Sequence, residues 1–274
     1  MIDAHQHYWR PVRGDYGWMP PGDPVLDRDY LPGDLAPQRA ALGIEGTVLV
    51  QAAPSVAETE FLLGLADGDE SIRAVVGWID FEDPADRAAL DRIAAHPRLR
   101  GVRPMIQDIP DNDWMLRSDS RWAFDALTER GLRFDALGFP RHLDQFLTLL
   151  ERHPDLAVVI DHCMKPTITD PAAFDHWADG MNRLARETGA FCKLSGLVTE
   201  AEPDWSVETL RPYAEHVLDA FGPTRVMWGS DWPVCRLRAE YGVWFDAAWT
   251  VCAGLDDAGR AAVFGGTARA FYGI

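Results

Sequence analysis

Met1-Ile2-Asp3-Ala4-His5-Gln6-His7 opens the chain. From Ile2 to His7 apolar and polar residues alternate, the pattern of a half-buried strand. Side chains at i and i+2 of a strand point the same way, so the spacing predicts that Asp3, His5 and His7 share one face. Two imidazoles side by side at a strand end can hold a divalent ion or polarise a carbonyl. An isolated His-x-His serves as well to cap a strand, with the second ring in solvent. The rest of the chain decides between these readings.

Downstream of this stretch, short β-rich runs alternate with longer helical segments. The runs are Ile2–His7, Gly46–Val50, Ala74–Ile79, Gly101–Met105, Leu132–Leu137, Ala157–Asp161, Ala190–Ser195 and Arg225–Ser230. Most are continuously apolar, as parallel strands covered on both faces are. Between them the sequence predicts helices over Leu35–Leu42, Val56–Ala66, Pro84–Ala95, Asp119–Arg130, Arg141–Arg152, Pro171–Thr188, Val207–Phe221 and Glu240–Cys252, with a helical tail at Asp257–Tyr272. Several open on Ser, Asp or Pro and close near Gly, as caps should. Eight such units predict a (β/α)8 barrel, the TIM-barrel architecture. A doubly wound open sheet would want a Gly-rich turn after the first strand, and His-Gln-His-Tyr-Trp-Arg stands there instead. Residues 1–274 read as one domain. Residues 8–32, rich in Pro, Gly and Trp and without helical period, read as a loop over the barrel mouth, since loops of this length in compact domains are often functional.

Composition narrows the function class. With 274 residues and 47% hydrophobic content, the chain can bury one large core. No stretch approaches the roughly 20 apolar residues of a membrane span. No basic leader precedes the first strand, which predicts a cytoplasmic protein. A formal net charge of −17 disfavours nucleic acid and anionic membrane as partners. Cys163, Cys192, Cys235 and Cys252 lack Cys-x-x-Cys spacing and read as reduced, buried thiols. Eleven tryptophans exceed what a barrel core needs, so some are expected to line a pocket.

In a (β/α)8 barrel, chemistry sits at the C-terminal ends of the strands. Those ends carry His5 and His7, then Gln51, Asp80, Arg103, Asp161-His162, Lys193 with Ser195, and Ser230-Asp231-Trp232-Pro233. Arg103 is expected at the substrate and Gln51 at the rim. Lys193 inside an apolar strand is the less ordinary lysine, because an unpaired buried ammonium is costly; Lys165 could equally be an ion-pair partner. Asp80 reads as structural. Asp161 precedes His162 and is therefore expected to point away as a cap. His142 and His153 read as capping or surface groups. Cys163 beside His162 is expected to face the opposite way.

These segments resemble the lactonase branch of the amidohydrolase superfamily (amidohydrolase-2), the group of L-fuconolactonase and L-rhamnonolactonase. The resemblance is carried by Asp3-Ala4-His5-Gln6-His7-Tyr8-Trp9, Val48-Leu49-Val50-Gln51-Ala52, Val76-Gly77-Trp78-Ile79-Asp80 and Gly101-Val102-Arg103. In the second half it is carried by Asp161-His162 with Lys165-Pro166, Cys192-Lys193-Leu194-Ser195-Gly196-Leu197 and Gly229-Ser230-Asp231-Trp232-Pro233. It implies a carboxylic-ester hydrolase that opens a sugar-acid lactone of L-fucono, L-rhamnono or galactono type to the hydroxy acid. Its catalytic residues would be Asp231, as base for the attacking water, with His162, His5 and His7. Gln51, Arg103, Lys165, Lys193, Trp18 and Trp232, with Trp9, would contact substrate. One divalent, zinc-like ion would be held by His5, His7 and Asp231, although some members of the branch work without a tightly held ion. The absence of a Lys at the ends of the fourth and fifth strands speaks against a two-metal centre. Pro104-Met105 stands where many relatives carry a His, which leaves the substrate open. The alternatives are a muconolactone-type lactonase, for a carboxylated or sulfonated ring, and a non-oxidative decarboxylase on the same fold. The partner implied is a small lactone; a homodimer is one option for the assembly.

Overall fold

The computed structural model describes residues 1–274. Eight parallel strands run in sheet order β1 to β8: β1 (Ile2–Gln6), β2 (Gly46–Val50), β3 (Ile72–Gly77), β4 (Leu99–Val102), β5 (Arg133–Ala136), β6 (Val158–Ile160), β7 (Phe191–Leu194) and β8 (Val226–Trp228). The helices outside them are α1 (Pro32–Leu42), α2 (Val56–Gly68), α3 (Arg87–Ala94), α4 (Arg121–Glu129), α5 (Leu143–Arg152), α6 (Phe174–Glu187), α7 (Leu197–Glu200), α8 (Val207–Phe221), α9 (Tyr241–Val251), α10 (Asp257–Ala261) and α11 (Thr267–Tyr272). This is the (β/α)8 barrel. The helical tail expected at the C-terminus is broken: a π-type turn over Ala262–Gly266 separates α10 from α11.

Each strand is fixed by the apolar residues it turns inward and outward. Ile2, Ala4, Val48, Val50, Ala74, Val76, Val159 and Met227 fill the barrel interior, and Phe271 and Tyr272 of α11 join them. The outward faces pack with the helices into one large cluster that includes Leu49, Val75, Val102, Phe134, Ile160 and Trp228. Small apolar residues inside and bulkier ones outside suit a barrel whose interior is a packed core.

Closure happens at the rim. Beyond the end of β8, Asp231 N donates to His5 O at 2.7 Å and His7 N donates to Trp232 O at 2.7 Å, giving a parallel bridge between Gln6 and Trp232. The segments that close the barrel therefore bring the His-x-His and Asp231 together. No helix is long and apolar enough to cross a membrane.

Candidate active site

The two histidines of β1 do face one way, with His5 Nε2 and His7 Nε2 3.2 Å apart. Asp3 does not join them. The β1–β2 register shifts between Asp3 and Gln6, which breaks the strict alternation that would place all three on one face. Asp3 Oδ1 instead accepts from Ser230 N at 2.8 Å, and its Oδ2 accepts from Tyr241 OH at 3.1 Å. It anchors the loop after β8 from beneath.

His162 arrives by an unusual backbone. Strand β6 stops at Ile160, and His162, Cys163, Met164 and Lys165 all take positive φ between 48° and 60°. A left-handed run costs roughly 1–2 kcal/mol per residue for L-amino acids and persists only where the surroundings impose it. Gly196 makes room for it. With φ +67°, its missing Cβ would lie 2.6 Å from His162 Nδ1. Gly229 does the same for His5, whose Cβ lies 2.6 Å from where a Cβ at Gly229 would be. Asp231 is also left-handed, at φ 57°, a conformation Asp tolerates better than most residues.

Asp231 is the hub. Its Oδ1 lies 3.2 Å from His7 Nε2 and 3.8 Å from both His5 Nε2 and His162 Nε2. Burial works to raise its pKa, but the surrounding imidazoles of His162, His7 and His5 outweigh it, so the carboxyl is held well below the ordinary range. His162 is pushed down to about 4, by burial first, with Lys165 and Arg103 adding to the effect while Asp231 and Asp161 oppose it. His5 falls well below its ordinary value, by burial and then by Lys193. At neutral pH the site thus holds one carboxylate beside the neutral imidazoles of His5 and His162.

This set fits a divalent cation. His7 Nδ1 lies 2.8 Å from Val50 O. A carbonyl only accepts, so Nδ1 carries the proton and Nε2 offers a lone pair. That lone pair faces the carboxylate oxygen at 3.2 Å, and two acceptors this close need a proton or cation between them. His5, His162 and Asp231 offer donor atoms all within 4.8 Å of one another. Ligands at the corners of a tetrahedral zinc site sit roughly 3.3 Å apart. His162 therefore belongs with His5, His7 and Asp231 among the candidate ligands. His162 Nδ1 is steadied by Ser195 Oγ at 2.9 Å, the kind of support that orients metal-binding imidazoles.

Beneath His5 lies a buried charge network that the strand pattern partly conceals. Lys193 Nζ is 3.1 Å from His5 Nδ1, 2.5 Å from Asp135 Oδ2 and 3.0 Å from Asp161 Oδ1. Arg103 reaches Asp161 Oδ2 at 3.3 Å and Gln51 O at 2.5 Å. Tyr272 OH, from the opposite end of the barrel, donates to Asp135 Oδ2 at 2.8 Å. Asp161 does not point away as a cap; it is fully buried at the centre of this network. The alternation rule that turned it outward lapses because the strand ends one residue earlier and the chain then coils left-handed. Asp135 was missed altogether, although a lone acid in Arg-Phe-Asp-Ala was the available signal.

A cavity of about 210 Å³ opens above the hub. His7, His162 and Asp231 form part of its wall with Arg103, Lys165, Trp9 and Trp18. Lys165 Nζ is 3.7 Å from Glu200, and Trp18 Nε1 donates to Ala52 O at 2.6 Å. Three residues expected at the substrate lie elsewhere. Lys193 is fully buried under His5. Gln51 is fully buried with its Nε2 donating to Arg103 O at 2.6 Å. Trp232 is buried between Tyr8 and Tyr30. Each sits at a strand end, but on the side or at the depth that faces protein. Met105, flagged in the sequence as standing where many relatives carry a His, does line the cavity, and so does Gln107, which carried no recognisable signal. His142 is buried and accepts from Phe139 N at 3.1 Å, as a capping group does. All four cysteines are free and buried.

A model of the amidohydrolase family matches residues 2–274. The chain belongs to that family. Among amidohydrolase relatives, an L-fucono-1,5-lactonase from Burkholderia ambifaria is 41% identical, over all of this chain and 95% of the relative. An L-fucono-1,5-lactonase from Burkholderia multivorans is 38% identical, over all of this chain and 96% of the relative. The crystal structure of an amidohydrolase from Burkholderia multivorans with bound zinc superposes with a TM-score of 0.93 at 37% identity, over all of this chain and 99% of that one.

Proposed function

We infer that this amidohydrolase opens the lactone ring of a sugar acid, an aldonolactone of the L-fucono type, to the free hydroxy acid. The observation that carries the reading is Asp231 Oδ1 within 3.8 Å of three imidazole nitrogens on the wall of a small cavity. Relatives named L-fucono-1,5-lactonase over the full chain give the substrate class. On this reading each residue takes a role. Asp231, a carboxylate at neutral pH, takes a proton from a water that attacks the lactone carbonyl carbon. The carbonyl C=O electrons move to the oxygen, where Arg103 and His162 would stabilise the charge. When the carbonyl re-forms, the bond to the ring oxygen breaks. Asp231 returns its proton to that oxygen, and one water has been added across one ester bond. A positioned acid–base group of this kind contributes typically 10²–10⁴-fold.

His5, His7, His162 and Asp231 would hold a zinc-like ion. Such an ion, when bound, polarises oxygens and lowers the pKa of water to about 7. Lys165, Trp9 and Trp18 would contact ring hydroxyls and the sugar face. This reading treats residues 1–274 as one catalytic domain with 8–32 over the mouth; Trp9 and Trp18 in the cavity wall support it. The free, buried cysteines are in keeping with a reducing, cytoplasmic setting. Proton release from a panel of aldonolactones and muconolactones tests the proposal. Turnover of L-fucono-1,5-lactone in preference to muconolactones is expected. Turnover of no lactone, or loss of CO2 from an aromatic acid, would overturn it.

A further inference from the structure

A second, larger cleft of about 550 Å³ lies beside the catalytic cavity, and the two share Trp18 and Met105 in their walls. The two spaces are therefore neighbours. The volume falls in the range of small-molecule sites, roughly 300–1,000 Å³, whereas the cavity over Asp231 seats only one small ring.

The walls of the cleft select a chemistry. Trp78, Phe81 and Trp114 give it aromatic faces. Trp114 is 3% exposed, and its indole N–H, which can only donate, has no acceptor in the protein. Asp15 Oδ1 is likewise buried without a donor, while its Oδ2 is taken by Arg13 at 2.8 Å and Ser55 at 3.2 Å. Both atoms lie buried and unpartnered in residues of the cleft wall, so a ligand that settles against them must accept from the indole and donate to the carboxylate. An anionic ligand would face Asp80 and Asp108 in a wall without Lys or Arg. A neutral polyhydroxylated ring meets all three conditions: hydroxyl oxygens accept, hydroxyl protons donate, and its C–H face lies on an indole.

We propose that this cleft is a second carbohydrate subsite, which takes a neutral sugar carried by the lactone, so that glycosylated aldonolactones are substrates. The proposal rests on the lactonase reading for its reaction but not for its binding. Two measurements separate them. Calorimetric titration with cellobiitol, maltitol and lactitol, which cannot be hydrolysed, reads the subsite alone. Hydrolysis of cellobiono-, maltobiono- and lactobionolactone, set against glucono- and L-fucono-1,5-lactone, reads the reaction. At least one alditol should bind, about tenfold more weakly in Trp114→Phe, which keeps a ring and removes the N–H, and in Trp78→Ala. The matching disaccharide lactone should have a KM at least tenfold below that of gluconolactone, and both variants should remove the advantage without altering L-fuconolactone turnover. Absence of alditol binding, binding insensitive to both variants, or hydrolysis confined to monosaccharide lactones would overturn the proposal. Alditol binding lost in the variants, with no lactone hydrolysed at all, would uphold the subsite and sink the lactonase reading instead.

Discussion

Asp231 and His5 meet at two points: the Asp231 backbone N–H donates to the His5 carbonyl at 2.7 Å, and Asp231 Oδ1 lies 3.8 Å from His5 Nε2. The bond that closes the barrel also sets the distance across the site. Chemistry and closure are therefore separable only by changes that spare the backbone.

Asp231→Asn is such a change. Asn tolerates the left-handed φ of 57° and keeps the N–H that closes the rim. Lactone kcat/KM should fall 10²–10⁴-fold with little change in melting temperature. Near-normal turnover would show that another group activates the water.

Lys193→Met should act on stability before activity. It leaves Asp135 and Asp161 buried and facing each other without their shared cation. Removing one partner of a buried ion pair costs about 3–5 kcal/mol. Adding Asp135→Asn should recover part of that loss in thermal or urea unfolding. An additive double mutant would show that the pair is uncoupled.

Gly196→Ala should damage catalysis with modest effect on the fold. The new Cβ would fall 2.6 Å from His162 Nδ1 and would require a left-handed alanine. A drop in kcat of at least tenfold is expected, against near-wild-type turnover for alanine at Gly64, where a Cβ meets nothing.

Metal removal is a direct test of the donor set. Dialysis against a chelator should release about one zinc-like ion per chain and abolish lactone turnover, and added zinc should restore it. His7→Ala should lower ion stoichiometry as well as rate. Full activity at zero bound metal would leave the imidazoles to act on the carbonyl directly.

Glu58 gives a pH signature remote from the hub. Its carboxylate accepts from Ala52 N and Ala53 N beside the mouth, and burial pushes its pKa up to about 8, against those same hydrogen bonds. The unfolded chain releases this proton near 4.5, so between 4.5 and 8 the folded state binds more protons. The stability carried by Glu58 is complete below pH 4.5, declines as pH rises toward 8 and then levels off. The slope cannot exceed about 1.4 kcal/mol per pH unit. Melting temperatures at pH 5 and pH 8 should therefore differ less in Glu58→Gln than in the native chain; an equal difference would show that Glu58 is ionised throughout.

The amino-acid sequence by itself determined the barrel, because alternating apolar runs and capped helices are local patterns, and Val207–Phe221 emerged with both ends in place. It also pointed to His5, His7, His162 and Asp231, through strand-end positions and resemblance to a known family, and the closed barrel brings the four together. The tertiary structure alone decided depth and direction. Lys193, Gln51 and Trp232 share the strand-end positions of Arg103 and Lys165, yet only the latter two reach the cavity. Asp161 turned inward because strand β6 ended before it and a left-handed turn replaced pleated alternation. Asp135 and Tyr272, 137 residues apart in sequence, meet only when the barrel is closed. Periodicity records which way a residue faces along its own element; how far it is buried, and which charge stands opposite it, depends on the packing of all eight strands at once.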